Sequence, residues 1–123
     1  MSISHAQGRG DLAHARHVEA SLLDYLRGQS ARHEALVIAA VGDLRIRIDA
    51  ADALRARADD SPAAAIAFRL AAAEAVRLAG QTHLELVGHG LPAPAPSEAE
   101  PALPTQRRLL GDHYLNGTAP AAG

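Results

Sequence analysis

Ser61–Gly90, SPAAAIAFRLAAAEAVRLAGQTHLELVGHG, holds a helix start, a long alanine-rich run and a glycine-rich stop. The Ser61 hydroxyl is placed to accept from a free amide of the first turn. Pro62 follows at the first helical position, where its missing N–H costs nothing. Ala64, Phe68, Ala71, Ala75, Leu78 and Thr82 recur at steps of four and three and so share one face, with Arg69 and Arg77 elsewhere on the helix. Gly88 and Gly90 supply a stop because glycine tolerates the positive φ that other residues resist. The stretch reads as the central helix of a small bundle, its face mostly methyl groups.

Upstream, a second long helix is expected from about Ser30 to Ala58. Val37, Val41, Leu44, Ile48, Ala51 and Leu54 step along it at near-coiled-coil spacing. Leu36, Ile38 and Ile46 fall outside that seam, so the apolar surface is wider than one neighbour needs. The favoured reading covers them with a helix of the same domain, and the alternative is a subunit interface. Gly42 interrupts this helix at about 1 kcal/mol relative to alanine, which a closely approaching backbone would offset. Arg45, Arg47, Asp49, Asp52, Arg55 and Arg57 read as a solvated, mixed-sign surface.

Before it, Leu12, Ala15, Val18, Leu22 and Leu26 form the stripe of a first helix, with Asp11 as its cap, Gly28 as its stop and Tyr25 at the edge of the core. Residues 1–10 show no period and are expected to fray. Residues 91–104, LPAPAPSEAEPALP, hold five of the seven prolines and read as a stiff linker. Residues 105–118 are expected to dock briefly through Leu109, Leu110, Tyr114 and Leu115, and 119–123 form a tail. The fold class is therefore all-α: an antiparallel helical bundle of three long helices, residues 11–90, plus a short C-terminal segment.

Composition agrees. Hydrophobic residues make up 48% of the 123 residues but aromatics only 2%, so the core must be aliphatic and alanine-rich. A formal charge of −2 with mixed signs leaves no electrostatic footprint for nucleic acid or an anionic membrane. With no cysteine, disulfides and thiolate chemistry are excluded. The N-terminal residues lack the apolar core of a secretory signal, and no apolar run is of membrane-spanning length, so the expected compartment is the cytoplasm.

Seven histidines invite a metal site, but no further ligand completes the His14, His17 pair at metal-site spacing. His83 reads as a half-buried, satisfied residue. His89, between Gly88 and Gly90, is the more interesting, because a glycine turn can present amides and an imidazole to a ligand; the plainer reading is a helix stop. No nucleophile elbow, P-loop or dinucleotide fingerprint is present.

RLAAAEAVRLAGQTHLELVGHG, the earlier HEALVIAAVGDLRIRIDAADALRARA and the closing QRRLLGDHYLNGT together resemble the C-terminal helical domain of the acyl-CoA dehydrogenase superfamily. Its branch of flavin-dependent monooxygenases of the dibenzothiophene-desulfurising type looks nearest. The resemblance implies a four-helix bundle carrying part of a flavin site and much of an oligomer interface, with the turn Gly88, His89, Gly90 and the preceding Glu85 at the flavin nucleotide. It also implies a truncated member, because the family's main flavin-holding part would precede this domain. The expectation is an accessory or oligomerising subunit, a homo-oligomer or the companion of a flavoprotein, with no cofactor of its own. The alternative is a chain that completes in trans the site of a flavin oxidoreductase acting on an acyl-CoA or small organic substrate.

Overall fold

The structure, a computed structural model, describes residues 5–95 and 100–120. Ser61 acts as its position requires: its hydroxyl accepts from the Ala64 amide at 3.0 Å, with Pro62 in the first turn. The resulting helix, α3, runs Pro62–Val87 and stops on Gly88, whose φ of 99° lets its amide donate to the Leu84 carbonyl at 3.0 Å. Gly90 lies beyond the stop. Ser61→Ala should cost about 1 kcal/mol, read as a lower urea midpoint with an unchanged denaturant slope.

Three further helices precede and follow it: α1 Ala6–Arg27, α2 Ala35–Arg55 and α4 Leu103–Asn116, with a 3₁₀ turn at Ser30–His33 between α1 and α2. No strand occurs among the described residues. Cross-helix pairs set the directions. Glu19 with Arg45 and Arg16 with Asp52 run α2 antiparallel to α1, whereas Asp11 with Arg69 and Ser21 with His83 run α1 and α3 parallel. The chain is thus an up-down-up bundle, an all-α architecture of three long helices and a shorter one. Asp52 sits where Arg55 and Arg16 converge. Its carboxyl is held below the usual value, first by the Arg55 hydrogen bond and then by the two positive charges.

Leu12, Val18, Leu22, Leu44, Ile48 and Phe68, each at most 2% exposed, make the centre, and Ala15, Ala51, Ala72, Ala75 and Ala79 seal the helix contacts. Phe68 is the only phenylalanine in the chain. Gly8 makes room for it: a Cβ built there would lie 2.6 Å from Phe68 Cε2.

Several boundaries differ from the sequence reading. Residues 1–4 lie outside the described set, but Ala6–Gly10 are helical, because Gly8 packs under Phe68 and extends α1 by a turn. Asp11 is accordingly no cap. It lies inside α1, 6% exposed, and its partner is Arg69. Arg69, read as outside the buried stripe of α3, is itself buried, because α3 touches α1, α2 and α4 and presents more than one face to protein. The C-terminal segment starts at Leu103, with Pro104 accepted in its first turn. Its anchor is Gln106, 0% exposed, while Tyr114 and Leu115, expected to dock, are 74% and 83% exposed.

Candidate functional site

Polar side chains gather in three places, the first at the C-terminal end of α3. The His83 ring is buried, with Nδ1 2.6 Å from the His89 carbonyl oxygen and Nε2 3.4 Å from Ser21 Oγ. A carbonyl can only accept, so Nδ1 carries the proton that it shares with the His89 carbonyl, and Nε2 faces the Ser21 hydroxyl. The His89 ring stands edge-on to His83 at 5.2 Å, its Nδ1 3.2 Å from the Gly90 carbonyl oxygen. The structure therefore gathers His83, Gly88, His89 and Gly90 in one turn and adds Ser21. Glu85 lies one turn before Gly88 on the exposed surface. It follows His83 by two residues, about 200° around the helix, and its carboxylate accepts from Gln81 at 3.1 Å on the exposed surface.

A serine hydroxyl, an imidazole and a carbonyl in series have the outline of a nucleophile and its base. The surroundings argue otherwise. Ser21 lies in mid-helix, where neighbouring amides are committed to i−4 carbonyls, so no free donors face a developing oxyanion. His83 at 1% exposure leaves no approach for a substrate. The group works as a pin: one buried ring ties α1 to α3 and folds the turn after Gly88 back onto the helix.

The second place is the network around Arg69. Its Nη1 donates to Asp11 Oδ2 and its Nε to Glu100 Oε2, each at 2.8 Å, and Gln7 donates to the other Asp11 oxygen at 3.0 Å. Gln106 Nε2 donates to the Pro101 carbonyl at 2.8 Å. One guanidinium thus fastens the end of the proline-rich stretch, and with it α4, to α1 and α3. Sequence reading had placed Glu100 inside a linker. Nothing in local spacing could have linked it to Arg69, 31 residues away. Among the described residues no group of three or more His, Asp or Glu side chains could hold a metal ion.

The third place is the outer side of α2, with a cleft at its start. The cleft, about 220 Å³, is lined by Leu23, Leu26, Val37, Ile38 and Val41 with Arg27 and Arg32. Arg32 Nη1 donates to the Arg27 carbonyl at 2.9 Å and so closes the C-terminus of α1, which accounts for its guanidinium without a ligand. Along α2 the favoured expectation fails: no helix of the described chain covers Leu36, Ile38 or Ile46, which are 86%, 57% and 66% exposed. Ile46 stands two residues from both Leu44 and Ile48, each 0% exposed. Two residues turn a helix by about 200°, so Ile46 faces directly away from the core. Ala39, Gly42, Ala50 and Ala53 share that outward side and are exposed.

Comparison with protein-family models, with curated proteins and with solved structures finds no match for this chain. Among the described residues no helix is long and apolar enough to cross a membrane.

Proposed function

We propose that the chain is a non-catalytic assembly subunit, an oligomerising or accessory helical bundle whose working surface is the outer side of α2. One observation carries this reading: α2 is apolar on both sides. Val37, Leu44, Ile48 and Ala51 face the core, while Ile46 and its alanine neighbours face solvent. An exposed apolar strip that no helix of the described residues covers is a surface that a second chain can bury. Light scattering should report a mass above that of one chain, 12.8 kDa, and Ile46→Glu should bring it to the monomer with helix content unchanged. A wild-type protein that is monomeric alone and with its partners removes the reading.

A second reading rests on the turn after α3, where Gly88 has a positive φ and His89 is exposed. If the chain is a truncated relative of the acyl-CoA dehydrogenases, this turn would complete the flavin site of a partner flavoprotein, Gly88, His89 and Gly90 lying at the nucleotide. Flavin absorbance is the discriminator: a red-shifted, quenched spectrum when this chain is added to FAD or FMN, with or without a flavoprotein, supports it, and an unchanged spectrum removes it. The absence of cysteine suits either role in the reducing cytoplasm.

A further inference from the structure

The cleft between the last turns of α1 and the first turns of α2 encloses about 220 Å³. Leu23 and Leu26 line it from α1, and Val37 and Val41 line it from α2. Leu26 and Val37 are buried, whereas Leu23 and Val41 are half-buried, so the walls are hydrocarbon and one side meets solvent. Arg27 and Arg32 supply the charge of the lining, and no acidic residue belongs to it. Arg32 is engaged with the Arg27 carbonyl. The Arg27 guanidinium, in contrast, makes no hydrogen bond or ion pair among the described residues.

We infer that this cleft binds a small amphiphile, an unbranched aliphatic carboxylate, its chain against Leu23, Leu26, Val37 and Val41 and its head on Arg27. Volume sets the chain: at ~30 Å³ for a water-sized group, about seven carbons fit, the chain of octanoate. Charge sets the head. A guanidinium presents two parallel N–H donors that a carboxylate accepts together, and a lining with positive charge and no acid disfavours an amine. Each methylene withdrawn from water adds to affinity, so binding should strengthen from butanoate to octanoate and level off once the cleft is full. The inference goes beyond the assembly reading and does not need it, since Ile46 is no part of the lining.

Titration of the full chain with octanoate, followed by amide NMR, tests it. Saturable shifts should centre on the facing turns of α1 and α2, with a Kd of about 1 mM or lower for a ligand of this size. Octanamide has the same chain without the charge and should bind about tenfold more weakly, as should octylamine. Arg27→Gln, at an exposed position, should bring octanoate to the level of octanamide and leave octanamide unchanged. Val41→Phe should fill the cleft and weaken both ligands; if that variant does not fold, Leu23→Phe makes the same test from the other wall. Ile46→Glu should bind octanoate as the wild type does, whatever it does to the assembly mass, so the two readings fall separately. No saturation up to about 10 mM, equal binding of octanoate and octanamide, or an unchanged Kd in Arg27→Gln overturns the inference.

Discussion

Arg69→Ala is expected to lower the unfolding free energy by about 3–5 kcal/mol, the range for breaking a buried ion pair from one side. The Arg69 side chain is 8% exposed, and its two carboxylate partners are equally withdrawn, Asp11 at 8% and Glu100 at 6%. Removing the guanidinium leaves two negative charges in protein with one amide, from Gln7, as the remaining donor to Asp11. The loss should have two parts. Glu100→Gln weakens only the hold on α4, so hydrogen exchange should quicken over Leu103–Asn116 before it quickens elsewhere. Asp11→Asn acts on the α1 and α3 contact and should lower global stability. Replacing Arg69, Asp11 and Glu100 together with aliphatic residues should recover much of the loss, because no charge is then stranded. Urea titration followed by circular dichroism measures all four variants. A change below about 1 kcal/mol for Arg69→Ala, the worth of an exposed pair, would show that the network is solvated.

The second large effect belongs to Phe68. Phe68→Ala should cost about 3–5 kcal/mol, since the ring is 1% exposed and packs from α3 against Gly8 of α1. Gly8 makes the test sharper. In an open helix Gly→Ala gains about 1 kcal/mol of propensity, but here the added methyl would meet Phe68 Cε2 at 2.6 Å. Overpacking of this kind costs about 1–3 kcal/mol, so Gly8→Ala should destabilise. Pairing it with Phe68→Leu should cost less than the sum of the two single changes, as expected for side chains in contact. A Gly8→Ala protein more stable than wild type would mean that the first turns of α1 are not packed on α3.

These two sites show what local pattern could and could not convey. The period of apolar residues in Leu12–Leu26 and Val37–Leu54 identified the core sides of α1 and α2, because every core residue there obeys the helical repeat. In α3 the same rule found Phe68, Ala75 and Thr82 but missed Ala72, Ala79, Arg69 and His83 among the buried residues. A period locates one face, and the middle helix of a bundle has more than one neighbour. His89 illustrates a related limit. The glycines around it predict a turn, but the turn's principal hydrogen bond uses its backbone carbonyl and the ring of His83. That partnership has no signature in the order of residues.

Ser61, Pro62 and Gly88 act within one or two turns of chain, so the start and stop of the central helix, and with them the all-α class, were settled by the order of residues alone. Whether Arg69 lay in water or protein depended on Asp11, 58 residues away, and whether Ile46 was covered depended on where α1, α3 and α4 came to rest. Hydrogen-bonded ends and helical repeats are local and additive. Burial, the pairing of charges and an uncovered apolar side are properties of helices packed together, and they come into being only with the tertiary structure.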